Sequence, residues 1–358
     1  MPHSMPTTTY GWELHGTGAG SGSDVLVWNE KQQLPPLGPN DVLVKLHAWS
    51  INYPDISVAN GTYPWRDSHV STVIPGSDGA GEVVATGSKA SKFKKTDKVI
   101  VFFYPHFDEG NAPTLDQMRD VPGTNTHGIF RQYAVLNEKG LIAMPSNLTY
   151  REAATLPCSA LTAWNALHGL APLKPSDFVL AQGTGGVSLF AILFALAAGA
   201  TVIATTSSLA KAERLAKIGV QHVLNYRQDP NWGETARKLT RDELGCHRVI
   251  EVGGPQTIKQ SFECVARGGE IDVIGFLTGQ GHAEDGPTYL EPLLKACMVR
   301  GIEVGNHIQF AEMNREIERL NVKPVVDDRV FALTELKEAY DYVWEQRHFG
   351  KVIISDDL

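Results

Sequence analysis

Apolar residues fall at alternate positions through much of DVLVKLHAWSI (residues 41–51), and GEVVATG (81–87) and DKVIVFF (97–103) repeat the signal. A period of two belongs to a half-buried strand, so the first part of the chain is predicted to be β-rich. Turn-forming residues connect these segments, as in LPPLGPND and GSKASKFKKTD. Between His106 and Thr126 no period is visible, and this stretch reads as a long surface excursion.

After Ala160 the rhythm changes. DFVLAQ, TVIATT, HVLNY, RVIEVG and EIDVIGF are short apolar strands, separated by the helix-like LFAILFALAAG, LAKAERLAKIG, NWGETARKLT and PQTIKQSFECV. Strand–helix alternation at this spacing predicts a parallel sheet covered on both faces. MVRGIEVG (298–305) would be a sixth strand, the count of a complete doubly wound dinucleotide-binding sheet, the Rossmann arrangement. The tail then runs helix AEMNREIERL, strand KPVVDDRVF, helix ELKEAYDYVWEQ and strand KVIIS, and is expected to rejoin the N-terminal part. The predicted organisation is α/β: residues 1–158 with 306–358 form a β-rich domain, and 159–305 form the Rossmann domain inserted into it.

One segment could be mistaken for a membrane span. Val179 to Thr205 carries no charge and is long enough. Glycines at 183, 185, 186 and 199 interrupt any continuous helix, so strand, turn, helix and strand is the better reading. The N-terminus has no apolar core of a signal peptide. A net charge of −8 argues against a nucleic-acid backbone or an anionic membrane as partner. Cys158, Cys246, Cys264 and Cys297 form no CxxC pair, which offers neither a disulfide framework nor a structural zinc site. A reducing, cytoplasmic location is expected.

QGTGGVSLFA (182–191) nearly spells the Gly-x-Gly-x-x-Gly turn, with Ser188 at the third glycine. A buried strand leads in and a helix follows from about Val187, which is the required context. Gly183 permits the tight turn, Gly185 lets the backbone approach a pyrophosphate, and the N–H groups of Thr184, Gly186 and Val187 open the helix toward the anion. The third position serves helix–strand packing, where serine still fits. The competing reading is an ordinary glycine turn. At the end of the second strand, where an NAD-preferring site places Asp or Glu, stand Thr205, Thr206 and Ser207, with Lys211 just beyond. NADP(H) is therefore favoured over NAD(H); alternatively, Lys211 and Arg214 are simply the solvated face of a helix.

SINYPDISVANGTYP (50–64), PGSDGAGEV (75–83), EAATLPCSALTAWNAL (152–167), GTGGVS (183–188), EVGGP (251–255), VIGF (273–276) and HFGKVII (348–354) together resemble the medium-chain dehydrogenase/reductase superfamily from about Tyr10 onward. The resemblance implies a GroES-like catalytic domain carrying an inserted Rossmann domain. Its zinc alcohol dehydrogenases hold the metal with Cys in C-x-x-D, His in G-H-E and a further ligand. Here the matching positions are Asn52, Ser77 and Cys158, and one thiolate is not a catalytic zinc site, which needs three protein ligands. The four-cysteine structural lobe is also absent. The chain thus looks like the zinc-independent, quinone oxidoreductase-like and enoyl reductase-like branch, with no metal expected. One departure is that GTGGVS has the turn length of the zinc enzymes.

Without a Lewis acid, a conjugated acceptor is the easier substrate, because charge spreads to an oxygen that a hydrogen-bond donor can hold. The expected activity is NADPH-dependent reduction of a quinone or an α,β-unsaturated carbonyl compound. The resemblance points to Tyr63 as proton donor beside the nicotinamide; the other reading is a half-buried aromatic next to Pro64. Asn52 could orient the substrate oxygen, or be a turn residue. The resemblance also implies cofactor contacts by Thr162, Tyr226 and Lys351, the last being alternatively an exposed strand residue. Val252 and Gly253 after the fourth strand, and Ile274, Gly275 and Phe276 after the fifth, stand where open α/β sheets bind ligands. Cys158 reads as packing. A homodimer through the strand around Arg300 to Gly305 is implied by the family. Rival readings are zinc-free alcohol or aldehyde reduction and a non-catalytic, crystallin-like NADPH-binding protein.

Overall fold

The computed structural model describes residues 5–67, 69–279, 281 and 286–356. The chain forms two compact units, Met1–Leu161 with Gly305–Leu358, and Thr162–Val304.

In the first unit a seven-stranded sheet is organised around Asp41–Ser50. That strand pairs antiparallel with Asp78–Thr86, Tyr133–Asn137 and Lys351–Ser355. The expected return of the tail is thus a sheet pairing: Val326–Phe331 lies parallel to Lys351–Ser355, which docks on the N-terminal strand. A smaller sheet of Thr8–His15, Leu26–Gln33 and Thr72–Val73 completes the β-structure. Val44, Leu46, Trp49, Val83, Phe130, Phe331 and Ile354 meet in the core. Buried Trp49 keeps its indole N–H satisfied on the Ile129 carbonyl at 2.6 Å. The aperiodic 106–126 stretch is not wholly irregular. Leu115–Arg119 is a short helix, capped reciprocally by Thr114 and Gln117, too short for its period to show in the sequence.

The second unit is a six-stranded parallel sheet. Counted along the chain its order is 3-2-1-4-5-6, the doubly wound arrangement. The central strands Phe178–Gln182, Thr201–Thr206 and Cys246–Glu251 are almost entirely buried, and each carries an apolar run, residues 179–181, 202–204 and 249–250. The membrane-like segment resolves into Phe178–Gln182, the glycine turn, helix Gly186–Ala197 and Thr201–Thr206. Among the described residues no helix is long and apolar enough to cross a membrane. The sixth strand is shorter than expected and ends at Gly301.

Candidate active site

In the second unit, Gly183 has a φ of 75°, the left-handed region that a tight strand-to-helix turn uses and that favours glycine. Its N–H donates to the Thr205 carbonyl at 2.9 Å, tying the turn to the neighbouring strand. Gly185 is the N-cap of helix Gly186–Ala197, and no side chain caps that end. A Cβ built on Gly183 or Gly185 would meet nothing within 4 Å. The helix therefore opens with bare N–H groups toward free space, which is the form an anion site takes. Ser188 is 2% exposed and its hydroxyl donates to the Gln182 carbonyl at 2.6 Å. The missing glycine is thus replaced by a side chain that joins helix to strand.

Thr205 and Thr206 are buried at the end of the second strand, and Ser207 is half-buried. Lys211 lies in the first turn of Leu209–Ile218, its N–H on the Ser208 hydroxyl. Tyr226 is exposed beyond the third strand. Thr162 and Thr184 are buried; Gly186, Val187, Val252, Ile274, Gly275 and Phe276 are half-buried, and Gly253 is buried.

A polar network that the sequence reading missed holds two of these strand ends together. Glu251 is fully buried; Oε1 accepts from the N–H groups of Gly253 and Gly254 and from Thr257, and Oε2 accepts from Ser261 and from Gln182 Nε2 at 2.6 Å. Gln182 Oε1 in turn accepts from Val252 and Gly253. Gln182 directly precedes the glycine turn and Glu251 directly precedes the second loop. The available signal was a polar residue closing each of two strands after an apolar run, with glycines following soon after.

The first unit gathers a second set. Ser50 pairs with Asp78 on one side and with Ile353 on the other. The end of Asp41–Ser50 therefore delivers Ile51 and Asn52 between the strands that begin with Asp78 and Lys351. Asn52 is the N-cap of helix Tyr53–Ala59, its N–H on Asp55 Oδ2 at 2.8 Å. Asn52 Nδ2 donates to Ser77 Oγ at 3.1 Å, and Lys351 Nζ donates to Asn52 Oδ1 and to the Ile51 carbonyl. Asn52, Ser77, Asp78, Asp55 and Lys351 are all 5% exposed or less.

Lys351 is not an exposed strand residue: its ammonium is enclosed, because the strand pairing places it against Asn52. Asn52 likewise has its amide engaged on both ends inside the protein, so it is held in one orientation. Tyr63 is half-buried after the same helix, its N–H on the Ser57 carbonyl and its ring edge-on to Trp65.

Burial pushes the Asp55 carboxyl up to about 7, with the Asn52 N–H opposing and the Asp78 charge adding. Burial likewise takes Asp78 to about 6, opposed chiefly by Lys351. The Cys158 thiol rises well above its ordinary range through burial, with Asp78 and Asp55 adding and Lys351 opposing, so it stays protonated. An amide, a hydroxyl and a protonated thiol with an ammonium beside them are a poor donor set for Zn²⁺. Among the described residues no group of three His, Cys, Asp or Glu could hold a metal ion.

A 3-2-1-4-5-6 sheet with an uncapped glycine turn is the arrangement of a dinucleotide-binding domain. The comparisons agree. Residues 38–146 match the alcohol dehydrogenase GroES-like domain family and residues 186–319 the zinc-binding dehydrogenase family. A zinc-type alcohol dehydrogenase-like protein of Schizosaccharomyces pombe is 42% identical over 94% of this chain and 97% of its own. The 2-methylene-furan-3-one reductase of Solanum lycopersicum is 27% identical over 98% of this chain and 80% of its own. Among solved structures, a NAD-dependent alcohol dehydrogenase superposes with a TM-score of 0.83 at 28% identity, covering 97% of this chain and 99% of that one. A 2-octenoyl-CoA carboxylase reductase in complex with NADP and 2-octenoyl-CoA also gives 0.83, at 26% identity, covering 98% and 88%. The chain belongs to the medium-chain dehydrogenase/reductase superfamily and is an NAD(P)-dependent oxidoreductase.

Proposed function

We propose that this protein is a zinc-independent, NADPH-dependent reductase of quinones or α,β-unsaturated carbonyl compounds, acting as a homodimer in the cytoplasm. The observation that carries the reading is the pair Asn52 and Ser77, bonded to each other at two of the zinc-ligand positions, with the Lys351 ammonium on the Asn52 amide oxygen, a set unsuited to the metal. The named reductase relative and the neighbour bound to NADP and an enoyl thioester support the substrate class.

NADPH, when bound, would supply the hydride. Gly183, Gly185 and the open helix start would hold its pyrophosphate; Thr205, Thr206, Ser207 and Lys211 would offer hydroxyls and a positive charge, without a carboxylate, to a 2′-phosphate. Thr162, Tyr226, Val252, Gly253, Ile274, Gly275 and Phe276 line the remainder in this proposal. Charge that builds on the substrate oxygen is held by a hydrogen-bond donor, for which Tyr63 is the candidate, and its hydroxyl then delivers the proton. Asn52, fixed by Ser77 and Lys351, would orient the substrate oxygen through its amide.

The test is oxidation of NADPH and NADH, with a chelator present, across quinones, enones and saturated aldehydes, for the native protein and Tyr63→Phe. Turnover confined to conjugated acceptors and faster with NADPH is expected, with kcat lowered roughly 100-fold in the variant. Turnover of saturated carbonyls alone indicates alcohol or aldehyde chemistry. NADPH binding without turnover on any acceptor indicates a binding protein.

A further inference from the structure

Asp78 is 0% exposed and neither of its carboxylate oxygens accepts a well-formed hydrogen bond, although the Asn52 amide, the Cys158 N–H and Lys351 lie near enough to favour its charge. A buried carboxylate in that condition calls for a counter-charge. Lys351 Nζ, on a side chain that is itself 3% exposed, lies 3.6 Å from Asp78 Oδ2. The same ammonium donates to the amide oxygen of Asn52 and, at 2.8 Å, to the Ile51 carbonyl. Its surroundings are therefore three oxygens, one from a carboxylate, one from a side-chain amide and one from the backbone. Two of the three positions that carry metal ligands in the zinc members belong to this group: Asn52 binds the ammonium directly, and Ser77 accepts from Asn52 and precedes Asp78.

We propose that the Lys351 ammonium is the resident cation of this site, charge-balancing Asp78 and orienting Asn52 where zinc members of the family keep their metal. The inference rests on the zinc-independent reading above and adds a reason for it. A cation is still required there, because the fold buries a carboxylate at the start of Asp78–Thr86; the chain provides that cation itself from the opposite strand. Lys351 is thus a positioning residue. Its charge acts on Asp78 and on the amide of Asn52, not on the substrate.

The discriminating experiment is a double-mutant cycle on the full chain with Lys351→Met and Asp78→Asn, read as thermal midpoints at pH 7.5, alongside Lys351→Arg and a zinc assay. Methionine preserves most of the bulk of the lysine stem and removes the ammonium with its hydrogen bonds to Asn52 and the Ile51 carbonyl, so the charge pairing is read from the coupling in the cycle and not from the single variant. Lys351→Met is expected to lower Tm by roughly 10 °C, because it strands a buried carboxylate. Adding Asp78→Asn should recover most of that fall, and Lys351→Arg should fall less than Lys351→Met. The KM for the conjugated acceptor should rise in Lys351→Met more than the KM for NADPH, since Asn52 loses its fixed orientation. Native protein incubated with Zn²⁺ and then desalted should retain only substoichiometric metal.

Additive effects in the cycle, or a Lys351→Met variant as stable as the native chain, would overturn the proposal while leaving a zinc-free reductase intact. If Lys351→Met gives no folded protein, the double variant decides: folded, it supports the charge pairing, and unfolded, it refutes it. Stoichiometric zinc in the native protein would overturn this inference and the zinc-independent reading together.

Discussion

Asp55 shows how much a neighbourhood decides at the scale of one residue. It receives the Asn52 N–H and lies near Ser77, yet burial and the Asp78 charge outweigh these and hold its carboxyl near 7. Lys351 opposes the shift, and the buried Tyr340 hydroxyl feels the Asp55 charge from the packed helix Leu336–Trp344. The folded chain keeps this proton at pH values where an unfolded aspartate, near 4, has released it. The folded state then binds more protons than the unfolded one, so stability falls as pH rises from about 4 through about 7. Asp55→Asn keeps an acceptor for the Asn52 N–H and removes the titration. Relative to the native chain it should gain about 3 kcal/mol on going from pH 4 to pH 8, measured by denaturant unfolding. An equal difference at both pH values would show that Asp55 does not titrate in that window.

Among the elements, the paired strand ends Phe178–Gln182 and Cys246–Glu251 carry the cofactor geometry. Each strand ends in a polar residue after an apolar run, residues 179–181 and 249–250, and those two residues, Gln182 and Glu251, bond to each other and to N–H groups of the loop after Glu251. Packing thus sets where the strands run, while the hydrogen bonds set how the loops leave them. Glu251→Gln replaces an acceptor with a donor that faces Gln182 Nε2 and leaves two donors opposed. It should weaken NADPH binding about tenfold, by fluorescence titration, a loss of about 1.4 kcal/mol. The exchange Gln182→Glu with Glu251→Gln should restore most of the affinity. If the exchange fares no better than the single variant, the pair does not act as a unit. At this scale the sequence was informative about the strands and silent about the pairing. Gln182 and Glu251 are 69 residues apart, and only adjacency in the sheet brings them together.

For the whole molecule, the open edge of the parallel sheet matters most. Among the described residues Met298–Gly301 pairs on one side only, with Val265–Val273. Around it Tyr289 is 89% exposed, Leu293 75% and Leu294 64%, with Met298 and Val299 also exposed. An unpaired edge flanked by bare apolar side chains is a template for a second strand, and the proposed homodimer would use it. Light scattering should give twice the chain mass for the native protein and the single mass for Val299→Lys. A native monomer, or a dimer that survives the substitution, would remove this edge from the interface. Period alone determined much of this protein. The apolar runs after Ala160, the alternation of 41–51 and the glycines of 183–186 all report local burial and local backbone freedom, which are properties of a few consecutive residues. Asn52 and Ser77, at the positions of two zinc ligands, were legible in the same way, since they stand in recognisable local motifs. Their charged partner was not. Lys351 lies 299 positions from Asn52, and it meets Asn52 and Asp78 only because Lys351–Ser355 and Asp78–Thr86 flank the same strand. A charge needs a partner wherever it is buried, and which partner it finds is decided by the sheet, not by the order of residues along the chain.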